Sequence, residues 1–94
     1  FGLEETIRRL SSDGAEAFQI PDRGVLKPGF YADLNVIDYD NLRMEVPEFV
    51  FDLPVGAGRW TQRAQGYDYT LVNGHVVIQN DNHTGRLVGD LIRI

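Results

Sequence analysis

Two histidines, His75 and His83, are the imidazoles of this chain, and it has no cysteine. A hydrolytic zinc centre takes three or more converging ligands, commonly histidine with carboxylate, and keeps one coordination position open. Neither an HxH nor an HExxH spacing occurs, and the two histidines lie eight residues apart, one in a hairpin and one in a loop. Asp81 with His83 makes a two-ligand pair at most, of a kind any polar loop offers. Ser11 and Ser12 lack the GxSxG setting and the His and Asp partners that nucleophilic catalysis needs. They sit at a helix end, where capping accounts for them. The carboxylate pair Asp38 and Asp40 falls at a strand end and its turn, where aspartate serves the backbone. Val55-Gly56-Ala57-Gly58 has the glycines of a phosphate loop but neither its lysine nor its strand-before, helix-after context. Trp60, Tyr67 and Tyr69 offer pocket-lining aromatics, although core packing or hairpin stabilisation explains them as well. The residues therefore assign no catalytic, cofactor-binding or metal-ligating position to this chain.

The elements around these residues follow from periodicity. Leu3, Ile7 and Leu10 recur at helical spacing and predict a helix over 3–10. Glu4 and Glu5 stand in its first turn and Arg8 and Arg9 near its last, which suits the helix dipole and predicts Glu4–Arg8 and Glu5–Arg9 pairs. Asp13 with Glu16 resembles a capping box that opens a second short helix through Ala15, Ala17 and Phe18, stopped before Pro21. The stretch Asp22–Asp38 comes next. Gly24 is expected to supply a backbone angle other residues resist, and Pro28-Gly29 the centre of a type II turn. Leu34, Val36 and Ile37 predict a strand at least partly covered on both faces. Short strands are expected near 48–52 and 60–64. The clearest local signal is Tyr67–Val72, Asn73-Gly74, His75–Gln79, a type I′ hairpin. A two-residue turn sets the register Val72–His75, Leu71–Val76, Thr70–Val77, Tyr69–Ile78, with Tyr69, Leu71, Val76 and Ile78 on the core side. A polar loop, 80–83, and a last extended segment, 87–94, end the chain. The fold class is α+β: a short N-terminal helical region, then a small, mostly antiparallel sheet.

Ninety-four residues make one small domain, which buries a little over 60% of its extended-chain surface. Nine basic against fourteen acidic residues give a net charge of −5. That balance argues against nucleic acid and against anionic membrane as partners. The absence of cysteine suits a reducing compartment, and a cytoplasmic location is expected.

Taken together, Leu3–Leu10, Ser11-Ser12-Asp13-Gly14-Ala15-Glu16-Ala17-Phe18, Asp22-Arg23-Gly24, Lys27-Pro28-Gly29 and Ala32–Asp38 resemble the C-terminal end of amidohydrolase-superfamily enzymes. Val72-Asn73-Gly74, Val76-Val77 and Thr84-Gly85 extend the likeness. Gln62-Arg63-Ala64 with Gly66-Tyr67 points to the N-acyl-D-amino-acid deacylase branch. Gly14, where relatives often have proline, and Val88-Gly89-Asp90, where they often have Pro-Gly-Arg, depart from the pattern. The resemblance implies a parent in which a TIM-type barrel, with zinc or another divalent metal, directs water at an amide carbonyl, using residues upstream of these. Residues 1–20 then correspond to the terminal helical region of that barrel. Residues 21–94 correspond to the C-terminal part of a composite β-sandwich whose other strands come from the parent's N-terminal portion. Deprived of that partner, the chain is expected to be inactive and to form homo-oligomers through exposed strand edges. The opposing expectation is a free-standing β-rich binding module with an aromatic patch at Trp60, Tyr67 and Tyr69.

Overall fold

Helix α1, Leu3–Leu10, forms where the apolar stripe predicts it, and the structure, a computed structural model, describes residues 1–93. Glu5 meets Arg9 at 3.2 Å as expected, but Arg8 does not pair with Glu4. It turns to Glu5 at 3.8 Å and to Asp13 at 3.5 Å, because the second helix follows so closely that its acidic first turn competes. These contacts are solvent-exposed and contribute tenths of a kcal/mol at most.

Helix α2, Ser12–Ala17, starts one residue before the expected box, so Asp13 lies inside it and no side chain caps it. The serines do a different job from N-capping. Ser11 Oγ donates to the Ile7 carbonyl at 2.5 Å and Ser12 Oγ to the Arg8 carbonyl at 3.4 Å. With no linker between the helices, the hydroxyls lie beside the open carbonyls of α1's last turn and satisfy those. The far end of α2 closes with Gln19 in the left-handed region (φ 57°). Gln19 N–H then donates to the Glu16 carbonyl at 3.0 Å and Ile20 N–H to that of Ala15 at 2.8 Å, the bonding of a Schellman cap.

The chain now folds back on this helical pair. Gly24 has φ 91°, and a side chain there would stand 2.7 Å from the Ala15 Cβ. Lys27-Pro28-Gly29-Phe30 is the expected type II turn, with Gly29 at φ 88° and Phe30 N–H donating to the Lys27 carbonyl at 3.2 Å.

Strand β1, Leu34–Ile37, leads into a sheet whose order is β1-β6-β7-β8, all antiparallel. Its other members are β6, Tyr67–Val72, β7, His75–Gln79, and β8, Asn82–His83. β1 is an edge strand whose cover is partial, with Leu34 and Ile37 half-buried and Val36 45% exposed. Between β1 and β6 lie two small ladders. β2, Arg43–Met44, pairs with β5, Ala64–Gln65, and β3, Glu48–Val50, pairs with β4, Arg59–Thr61. The strand expected over 60–64 is thus split into two, and the one over 48–52 ends at Val50. The glycine loop after β3 contains a 3₁₀ turn at Pro54–Gly56.

The hairpin holds its expected register near the turn and then leaves it. Asn73 and Gly74 adopt φ 52° and 78°, as a type I′ turn demands, and Val72–His75 and Leu71–Val76 pair. Beyond them Thr70 pairs with Ile78 and Tyr69 with Gln79, leaving Val77 as a bulge. Thr84 explains the slip. Its hydroxyl donates to the Val76 carbonyl at 2.9 Å, and its N–H to that of Val77 at 2.9 Å, so the bulged carbonyls are satisfied. At the far end, Asp81 Oδ1 accepts the Tyr67 N–H at 2.7 Å and fixes the shifted alignment. Tyr69, placed by sequence on the core side, is 40% exposed as a result. The expected polar loop at 80–83 is a tight left-handed turn, Asn80-Asp81, that returns the chain as β8. Residues 87–93 join no ladder, and Ile94 lies outside the described residues.

Gly66 is the one described residue classed as buried. It has φ 103°, a side chain there would meet the Leu42 Cα at 2.8 Å, and its carbonyl accepts the Asp38 N–H at 2.8 Å. No described apolar side chain reaches full burial. The accessible surface is 7613 Å², where a folded monomer of this mass exposes about 5,500 Å². The radius of gyration is 15.6 Å, against about 12.4 Å for a compact domain of this length. The α1 stripe shows where part of the excess lies: Leu3, Ile7 and Leu10 are 48%, 50% and 78% exposed.

Candidate functional site

One polar cluster ties distant parts of the chain together, and sequence reasoning did not find it. Arg23, from the turn after α2, ion-pairs with Asp33 through Nη1 and donates through Nη2 to Asn73 Oδ1 at 2.7 Å. The other Asp33 oxygen accepts the Asn73 N–H at 2.9 Å. Asn73 Nδ2 donates to the Val88 carbonyl at 2.8 Å, and the Gly74 N–H to the Ala32 carbonyl at 3.0 Å. The Arg23 guanidinium also lies 4.2 Å from the Tyr31 ring centroid, a cation–π stack. The hydrogen bond to Asp33 holds Arg23 above its ordinary pKa. A planar fork and a carboxylate thus join the Asp22–Asp33 stretch, the hairpin turn and the C-terminal segment. Both Arg23 Nη atoms, both Asp33 carboxylate oxygens and both ends of the Asn73 amide are engaged within the chain, so the cluster acts as a clamp.

A groove of about 380 Å³ opens beside the hairpin, lined by Arg63, Ala64, Tyr67, Thr70, Ile78, Asp81 and His83. It brings Asp81 and His83 together, the pair weighed from sequence, and gives both backbone duties. Asp81 accepts the Tyr67 N–H, and His83 Nδ1 accepts the Gly85 N–H at 2.8 Å. Thr70 Oγ1 is committed to Asn35 Oδ1 at 2.7 Å. His75 does not line the groove; its Nδ1 stands 3.1 Å from Arg86 Nη2. Among the described residues no three His, Asp or Glu side chains stand together as a metal site. The described residues therefore supply no donor set of the size a resident divalent ion takes.

The aromatic residues weighed from sequence are divided. Tyr67 lines the groove and Tyr69 lies on the exposed part of β6. Trp60 instead packs on the β3–β4 ladder against Phe49, 5.3 Å between ring centroids, and Phe49 meets Phe51 at 5.1 Å edge to face. Beside them Arg59 grips Asp52 with two bonds of 2.7 Å, which holds the Asp52 carboxyl below its ordinary range. The sequence suggested the two strands separately and not their pairing as a hairpin. Ser11, Ser12, Asp38 and Asp40 converge on nothing; Asp38 Oδ2 accepts from Asn41 Nδ2 at 2.7 Å within its own turn.

The described residues form an α+β chain whose turns are tied together by the Arg23–Asp33–Asn73 cluster and whose sheet ends on β1. Residues 1–78 match the amidohydrolase family, and the chain belongs to that family. It is 35% identical over 80 residues to a dihydroorotase of Lactobacillus acidophilus, an alignment covering 84% of this chain. The aligned part is 19% of that relative, so the chain spans about a fifth of its length. No solved structure matches it.

Proposed function

We propose that this chain is the C-terminal structural portion of a metal-dependent hydrolase acting on the C–N bond of amides, with N-acyl-D-amino acids as substrate class, and that it is inactive alone. The family match over residues 1–78 supports the hydrolase part of this reading, and the likeness of Gln62-Arg63-Ala64 with Gly66-Tyr67 to the deacylase branch suggests the substrate class. The roughly 2,000 Å² of surface in excess of a compact monomer supports it, because a standard interface takes about 800 Å² from each partner and only extensive, obligate ones take this much from one chain. Residues 1–20 are the terminal helical region of the catalytic barrel, and residues 21–94 complete a β-sandwich with strands from elsewhere in the parent. Zinc or another divalent ion is held by residues outside this chain, in a cytoplasmic enzyme. Expressed without its partner strands, the chain pairs with its own copies along the β1 edge.

The similarity to a dihydroorotase favours dihydroorotate as a second substrate reading. The exposed Phe49–Phe51–Trp60 cluster favours the other class, a binding module without catalysis. One assay separates the three. The intact protein, supplied with zinc, is offered N-acetyl-D-amino acids, their L-enantiomers and dihydroorotate. Turnover confined to the D-series supports the proposal, turnover of dihydroorotate replaces its substrate class, and no turnover of any of them overturns it.

A further inference from the structure

Asn73-Gly74 is the one place in the chain where an asparagine side chain is followed by an unhindered glycine amide. In such a pair the glycine nitrogen can attack the asparagine Cγ. The N–C bond forms, ammonia leaves, and the resulting succinimide takes up water to give aspartate or isoaspartate. No oxidant, metal or enzyme enters the balance. In this fold both partners are occupied. The Asn73 side-chain amide is held at each end, Oδ1 by Arg23 and Nδ2 by the Val88 carbonyl. The attacking nitrogen is held by the Ala32 carbonyl, and the Asn73 N–H by Asp33.

We infer that Asn73 is a latent self-modification site, kept closed by the Arg23–Asp33 clamp and opened whenever that clamp lets go. Opening is a local event, requiring the 22–33 stretch and the C-terminal segment to part from the hairpin turn while the helices remain folded. Modification is then irreversible in structural terms. The new carboxylate stands opposite Asp33, where Arg23 alone cannot neutralise both. In the isoaspartate product the backbone gains a methylene inside a two-residue turn whose length sets the register. The clamp thereby records how often this region has opened.

The test is a peptide-mapping time course on the intact protein in mildly alkaline buffer, counting aspartate plus isoaspartate at position 73. Native protein should modify at least about tenfold more slowly than the same protein in urea, the ratio reporting the opening equilibrium. Arg23→Gln, still folded by circular dichroism, should modify several-fold faster than the unmodified sequence. If that variant fails to fold, the unmodified protein decides: across increasing sub-denaturing urea, hydrogen exchange at the Gly74 amide and modification at Asn73 should rise together. Equal rates in native buffer and urea overturn the inference. So does an unchanged rate in folded Arg23→Gln, or modification that does not follow Gly74 exchange.

Discussion

Gly66 and Gly29 both have positive φ, at 103° and 88°, but only Gly66 is also crowded. A methyl at Gly66 meets the Leu42 backbone, whereas one at Gly29 meets open space. Gly29→Ala should therefore cost only the left-handed backbone, about 1–2 kcal/mol. Gly66→Ala should cost more than that by urea titration of each variant, since the 38–42 turn must also shift. Asp52 supplies a pH-dependent effect whose sign is fixed. Its folded pKa is lowered by the Arg59 hydrogen bond, so its contribution is present above the ordinary carboxylate pKa. It is lost as pH falls through the lower, folded value. Both side chains are about half exposed, and salt should shrink the effect. Urea midpoints near neutrality and in acid should thus differ less for Asp52→Asn than for the unmodified chain, and the gap between the two should narrow in high salt.

At the scale of elements, Thr84 sets the hairpin's far register from outside the hairpin. Thr84→Val removes the hydroxyl bond to Val76 and should cost about 0.5–1.5 kcal/mol. Cross-strand NMR contacts should then move from Thr70–Ile78 towards Thr70–Val77, the pairing a plain two-residue hairpin would adopt. This element shows what was legible. Asn73-Gly74 announced the turn, and Lys27-Pro28-Gly29 announced another, because each needs a backbone angle that few residues supply. The α1 stripe was legible from its period. The bulge was not, since it depends on a threonine seven residues beyond Val77 whose partners are main-chain carbonyls. Arg23, Asp33 and Asn73 were hidden for a similar reason. They are separated by ten and by forty residues, and nothing in local spacing links them. The serines were misread because capping and back-bonding to a preceding helix use the same residue type at the same kind of site.

The molecule as a whole is an α+β segment of the amidohydrolase family that exposes about 2,000 Å² more than its mass warrants. An open β1 edge and an uncovered helix stripe follow from that excess. Sedimentation velocity on the isolated chain should show species larger than a monomer, and Val36→Lys, which charges the edge strand, should shift them towards monomer. A monomer for the unmodified chain at high concentration would count against edge pairing. Under the proposed function this segment contributes architecture and not chemistry to an amide hydrolase. The most direct measurement is kcat for the intact protein beside its His75→Ala, Asp81→Ala, His83→Ala triple variant, on whichever amide is turned over. If none of the three takes part in the chemical step, kcat stays within about twofold of the unmodified protein. A fall of about a hundredfold or more in a variant that remains folded would contradict it, because losses of that order mark a group acting in proton transfer.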